Sequence, residues 1–377
     1  MIYFDNAATS YPKPQCVYKE IKKVLTRFGG NPGRGSYPLA NDTGRYVYKV
    51  RKEIADFLGA SKSSQIIFTA NATESANVIL KGYLNPGEHV IYFSAEHNAN
   101  FRPLKALELK GIELSKVKVC DDDENTIKGL IAALKKKTKL IVAIYGSNVS
   151  GKVLPLAKII KIAHDNGVRV YSDMAQTAGF LPTDLKAMDI DFAAFAGHKS
   201  LLGPCGIGIL YAKEEALLEP LKTGGTGNLS QSPYQPQNYP AALESGTPNL
   251  IGIGGLYAGI KYLKAYGEFN AFEHEKKLTH YFLWELRSIS AVEVYGPKLN
   301  ELRLPVVSLN VKDKDCTIVG EHLQKHGKIA VRTGLHCAPE AHKTINTFPG
   351  GTVRFSFGLF NTKSEIDVAL NILEGIK

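Results

Sequence analysis

The chain has 377 residues, enough for a large core and for two structural units. A composition of 44% apolar and 22% charged residues, with 35 scattered glycines, excludes collagen-like and disordered classes. The formal charge of +10 sits mostly on solvated lysines, as in "LKKKTK", without an aromatic-interleaved basic stripe, so nucleic acid is not an expected partner.

No apolar run approaches the roughly 18 to 20 residues of a membrane-spanning helix, so no membrane partner is expected either. The opening "MIYFDNAATSYPKPQ" lacks the basic patch and apolar core of a signal peptide, and the reading places the protein in the cytoplasm. The five cysteines Cys16, Cys120, Cys205, Cys316 and Cys337 form no CxxC pair. In "HEKKLTH", His274 and His280 are six apart and fall on different helix faces, so no metal is expected.

In chain order, short apolar runs predict strands at 65–70 ("QIIFTA"), 89–94 ("HVIYFS"), 140–146 ("LIVAIYG"), 168–173 ("VRVYSD"), 192–197 ("FAAFAG") and 207–212 ("IGILYA"). Amphipathic stretches such as "ESANVILKGYL" and "LAKIIKIAHDNG" predict helices between them. Strands apolar on both faces and joined by helices imply an α/β unit with a mostly parallel sheet. Residues 223–250, rich in Gly, Pro and Asn, predict a long loop. Beyond a helical stretch at about 250–289, a second α+β pattern predicts a smaller unit. In "GIGGLYAG" no strand precedes the glycines, so close helix packing is expected there instead of a dinucleotide site.

Ligands of open α/β sheets bind beyond the carboxyl ends of the strands. "QIIFTA" is followed by Asn71-Ala72-Thr73-Glu74, a small-polar turn entering a helix, whose first reading taken alone is a plain N-cap and whose alternative is a phosphate site. "VRVYSD" ends on Asp173, a carboxylate wanting a cation. One strand later, Lys199 lies in the small-residue tract "AAFAGHKS", where desolvation favours the neutral, nucleophilic amine. A direct Asp173–Lys199 ion pair is the plainer alternative. A lysine, an acid and an anion-binding turn are the three things that pyridoxal 5'-phosphate (PLP) needs.

These residues, with "YFDNAAT", "NATES", "AEHNAN", "SNVSG", "SDMAQ", "GHK", "ESGTPN", "RTGLHCAP" and "VRFSFGLFNT" in that order, resemble the cysteine desulfurases of the class V aminotransferase superfamily, most nearly the second group, which includes selenocysteine lyases. The resemblance implies the PLP-dependent transferase fold of type I, with a large PLP-binding unit over residues 15–260. Residues 1–14 and 261–377 would form a small α+β unit. It implies that Lys199 carries PLP, that Asp173 pairs with the pyridinium nitrogen, that Gln176 donates to the phenolic oxygen, and that His97 stacks on the ring and moves protons. Ala72, Thr73, His198 and Thr247 would hold the phosphate, Thr247 from a neighbouring subunit of a homodimer. Ala196 replaces a serine common among relatives, which removes one hydroxyl from that pocket. Arg354 would grip the substrate carboxylate with help from Asn148, and Arg332 would face the same cavity.

By the same resemblance Cys337 is the nucleophile that takes sulfur from PLP-bound L-cysteine, leaving alanine and a persulfide. Arg332 and Arg354 would favour its thiolate, with His336 and His342 as further contributors. The other cysteines read as structural, Cys205 as a small packed residue. L-Selenocysteine is the alternative substrate, with a selenocysteine lyase or another PLP lyase or aminotransferase as the alternative activity. A non-catalytic dimeric sulfur-relay protein is the alternative of another class. A sulfur-acceptor protein is an expected partner. Iron–sulfur cluster assembly, thiolation and selenium metabolism are its candidate destinations.

Overall fold

The computed structural model describes residues 1–33, 35–213, 218–227 and 229–376. Its strands, in chain order, are β1 (Ile2–Tyr3), β2 (Ile66–Thr69), β3 (His89–Phe93), β4 (Glu113–Val117), β5 (Thr138–Ile144), β6 (Arg169–Asp173), β7 (Phe192–Ala196), β8 (Gly208–Ala212), β9 (Val292–Tyr295), β10 (Val306–Val311), β11 (Ile329–Ala330), β12 (Arg332–Gly334) and β13 (Thr352–Ser356). The helices are α1 (Gln15–Arg27), α2 (Pro38–Phe57), α3 (Ala72–Tyr83), α4 (Asn98–Glu108), α5 (Asp123–Ala133), α6 (Leu156–Asp165), α7 (Leu250–Tyr266), α8 (Glu268–Glu285), α9 (Cys316–Gly327), α10 (Pro339–Thr344) and α11 (Lys363–Glu374).

All six expected strands of the large sheet form, and a seventh, β4, joins them in the order β2-β8-β7-β6-β5-β3-β4. Only β8 runs antiparallel to its neighbours. The central residues of β3, β5, β7 and β8 are mainly apolar because both faces of the sheet are covered. Ile91, Ile141, Ala143, Ala193 and Phe195 pack with α2, α5, α6 and α7. The alternate residues Val90, Leu140, Val142, Phe192 and Ala194 pack with α3 and α4 on the other face. This is the α/β architecture with a mostly parallel sheet that the sequence predicts.

Two elements differ from expectation. β4 reads "ELSKV", largely polar, because it is the sheet's edge strand and its side chains are mostly half-exposed. The stretch at 250–289 is two long helices, which part at Gly267, whose φ of 89° ends one and begins the other. The glycines of α7 do serve close packing: a Cβ on Gly259 would lie 2.4 Å from the Leu201 carbonyl oxygen. The described residues between 218 and 249 form no helix or strand.

A second antiparallel sheet, β12-β13-β10-β9, carries α9 and α11 over a separate core around Phe282, Val307, Phe355 and Phe357. The N-terminus belongs to that core. Phe4 packs in it, and β1 pairs in parallel with β11.

Candidate active site

The functional side chains gather where strands of the large sheet end against the second sheet. A cavity of about 210 Å³ there is lined by ten of the twelve expected site residues: Ala72, Thr73, His97, Asn148, Asp173, Gln176, His198, Lys199, Arg332 and Arg354. Ala196 lines it too.

One wall is the start of α3. The Asn71 side chain caps it by accepting from the Glu74 N–H at 2.8 Å, while the Ala72 and Thr73 N–H groups have no partner among the described residues. Gly208 lets this turn sit against β8, since a Cβ there would come within 2.6 Å of the Asn71 carbonyl carbon. The His198 Nδ1 is buried and unpaired beside the same turn's cavity.

Lys199 is half-buried at the cavity, and its amine forms no hydrogen bond or ion pair among the described residues, so the direct Asp173–Lys199 pair does not form. Burial pushes its pKa down to about 8, against the opposing pull of Asp173. The neutral amine therefore gains as pH rises. Capture of PLP by apoprotein should quicken roughly tenfold from pH 7 to pH 9, with its midpoint near pH 8, and level off above about 9, as followed by stopped-flow absorbance.

Asp173, at the end of β6, accepts from the Ala175 N–H at 2.9 Å and from Asn100 Nδ2 at 3.2 Å. Burial raises its pKa. His97 caps α4, its Nδ1 accepting from the Ala99 N–H at 3.0 Å, which leaves the proton of the neutral ring on Nε2. Burial, then Lys199 and the arginines, depress its pKa to about 3, so it is neutral. Gln176 donates through Nε2 to the Ala7 carbonyl at 3.0 Å, a bond that its expected role does not include.

The register of the second sheet puts Arg332 directly opposite Arg354 on β12 and β13. Like charges so placed repel, and each guanidinium has its own anion or acceptor. Arg354, fully buried, donates through Nη2 to Asp5 at 2.7 Å and through Nη1 to the Asn148 carbonyl at 3.1 Å, while its Nε is buried and unpaired. Arg332 Nη2 lies 3.1 Å from Cys337 Sγ.

Cys337 is exposed beside this cavity, not lining it. It and His336 adopt left-handed backbone, φ 58° and 48°. The loop is pinned by the Asn98 N–H donating to the Cys337 carbonyl at 2.7 Å and by Asn148 Nδ2 donating to the His336 carbonyl at 2.8 Å. Asn148 thus holds the cysteine loop with the group expected to meet substrate. His336 and His342 do not help as cations: burial depresses them to about 2 and about 4, and each is neutral and bonded to a threonine hydroxyl.

Thr247 lies elsewhere, in a second cavity, accepting from Asn31 Nδ2 at 3.2 Å. Cys205 is exposed instead of packed, whereas Cys316 is buried. Sequence reasoning missed Asp5, Glu96 and Asn100. All three stand in stretches it had singled out, "YFDNAAT" and "AEHNAN", beside the residues it chose.

The model of the class-V aminotransferase family matches residues 2–369. The chain belongs to the class-V aminotransferase family. A probable cysteine desulfurase of Methanothermobacter thermautotrophicus is 35% identical over 382 residues, covering 100% of this chain and 94% of the relative. The apo structure of a cysteine desulfurase from Thermococcus onnurineus superposes with a TM-score of 0.91 at 33% identity, over 99% of this chain and 94% of that one. A cysteine desulfurase from Escherichia coli, solved in an S-sulfonic acid form, gives 0.88 at 29% identity, over 99% and 94% of the two chains. These class-V enzymes depend on PLP, and the cavity suits it. The unpaired His198 Nδ1 and the free Ala72 and Thr73 N–H groups fit a phosphate, the unpartnered Lys199 amine fits an aldehyde, and Asp173 fits a ring nitrogen.

Proposed function

We propose that this protein is a PLP-dependent cysteine desulfurase that converts L-cysteine to L-alanine and keeps the sulfur as a persulfide on Cys337. The observation that carries the reading is the Arg332–Cys337 contact beside the cavity of Lys199, Asp173 and Arg354. It sets a nucleophile next to an amino-acid site.

Lys199 holds the cofactor. The Ala72 and Thr73 N–H groups and His198 hold its phosphate, Asp173 its ring nitrogen and Gln176 its phenolic oxygen, with the neutral His97 ring over its face. When bound, PLP supplies the electron sink that loosens bonds around the substrate Cα. Arg354 binds the substrate carboxylate, for which its unpaired Nε is a ready donor, while Asp5 keeps the guanidinium in place. Lys199 and the Nε2–H of His97 are the groups placed to move protons at the substrate. Arg332 Nη2 meets Sγ of Cys337 and keeps the sulfur beside the cavity. As the substrate's Cβ–S bond breaks, Sγ of Cys337 forms a bond to that sulfur, and the carbon left behind takes a proton to become the methyl group of alanine.

Replacing Arg354 by Lys removes the planar fork. KM for L-cysteine should rise roughly 10- to 100-fold with a smaller change in kcat, measured by alanine formation. The test of the function is direct: purified, PLP-loaded protein given L-cysteine should form one alanine per sulfide released in the presence of a reductant. Pyruvate or an amino-group transfer product in place of alanine would overturn the reading.

The active unit is a homodimer in which Thr247 reaches the neighbouring subunit's phosphate, as its place outside this chain's own cavity supports. Residues 15–260 form the large unit, and residues 1–14 with 261–377 the small one. The strand pairing of β1 with β11 and the Asp5–Arg354 bond support that division. A sulfur-acceptor protein takes the outer sulfur of the persulfide at exposed Cys337, whose thiol is thereby restored.

A further inference from the structure

Behind Asp173 lies a polar chain with no solvent around it. Glu96 and Asn100 are fully buried, and so is Tyr171. Asn100 stands at the centre. Its Oδ1 accepts from Tyr171 Oη at 2.8 Å, which fixes the sense of the amide. Both hydrogens of Nδ2 are then committed, one to Glu96 Oε2 at 2.7 Å and one to Asp173 Oδ2 at 3.2 Å. The other Glu96 oxygen accepts from the Ile144 N–H at 2.6 Å, at the last residue of β5.

A buried carboxyl group is costly unless paired, and neither Glu96 nor Asp173 forms an ion pair among the described residues. A core position could have held an apolar side chain more cheaply. Glu96 instead accepts two short hydrogen bonds, one from Asn100 on α4 and one from Ile144 at the end of β5, two elements that frame the site. Without Glu96, the Asn100 amide would have nothing to hold its second hydrogen, and the Asp173 carboxylate would lose its fixed orientation on the side away from the cavity.

We propose that Glu96 is a positioning residue for the cofactor-facing acid: acting through Asn100, it holds the Asp173 carboxylate in the orientation that presents its remaining lone pairs to the PLP ring nitrogen. This rests on the reading of the cavity as a PLP site with Asp173 at the ring nitrogen. Outer partners that orient an inner ligand in this way are a general device of cofactor sites.

The test uses PLP labelled with ¹⁵N at the ring nitrogen, bound to the full-length protein and to Glu96→Ala and Asn100→Ser. Asn100→Ser breaks the amide bridge while leaving the Ile144 bond to Glu96. In the unaltered protein the ¹⁵N shift should report a protonated ring across neutral pH. In both variants it should move toward the unprotonated position, with PLP bound at least tenfold more weakly. A native ¹⁵N shift and native affinity in either variant would overturn the inference. An unprotonated ring in the unaltered protein would overturn the placement of Asp173 itself, a separable failure. Should Glu96→Ala not fold, by circular dichroism, Asn100→Ser alone decides the matter.

Discussion

Lys199→Met should abolish covalent retention of PLP and lower desulfuration by a factor on the order of 10²–10⁴ or more, while making the apoprotein more stable. The two effects share one cause. The Lys199 amine sits in the cavity with no carboxylate touching it among the described residues, so the folded chain holds a group that it would rather leave neutral. Its folded pKa of about 8 lies below the ordinary 10.5, so the unfolded chain binds the proton more tightly. The penalty is complete below about pH 8 and fades as the pH rises toward 10.5. Replacement by Met removes it, so the gain in apoprotein stability, on the order of 3 kcal/mol, should be full at pH 7 and vanish near pH 10.5 in denaturant titrations. A structural lysine would behave in the opposite way, its loss destabilising the fold at every pH.

Cys337→Ala should leave PLP bound with an unaltered absorbance spectrum and stop sulfur release from L-cysteine, with kcat down by a factor on the order of 10³ or more. The side chain is exposed, its thiol meets Arg332, and the carbonyls of its loop are held by the Asn98 N–H and Asn148 Nδ2, so truncation leaves the surrounding structure intact. Alanine does not suit the left-handed backbone any better than cysteine does, so no compensating change is expected there. Selenium leaves carbon more readily than sulfur. Undiminished turnover of L-selenocysteine alongside lost turnover of L-cysteine would therefore identify a selenocysteine lyase.

Strand-end logic made most of this site legible, because an acid and a lysine after the adjacent parallel strands β6 and β7, and a capping turn after β2 at the same end of the sheet, lie where such sheets bind ligands. Arg332 and Arg354 came from the resemblance, and the β12–β13 register gives the reason they meet: antiparallel neighbours place them face to face. Four things were hidden. Asp5 acts on Arg354 across 349 residues of sequence, a distance over which no local pattern speaks. Glu96 and Asn100 look like helix-entry polar residues until the fold buries them behind Asp173. β4 escaped because an edge strand may expose one side and so loses the continuous apolar run that marks its neighbours. The neutral state of His336 and His342 was hidden for a related reason. Each reads as a cation beside a thiol, but burial near Arg354 removes the charge.

The central claim is sulfur capture by Cys337, and one measurement tests it most directly. PLP-loaded protein is given one equivalent of L-cysteine without reductant, alkylated, digested and mapped by mass spectrometry, with alanine quantified in the same sample. The account predicts one alanine per occupied site and one additional sulfur atom on the peptide bearing Cys337. Alanine formed with the extra sulfur on Cys205 or another cysteine, or on none, would contradict it.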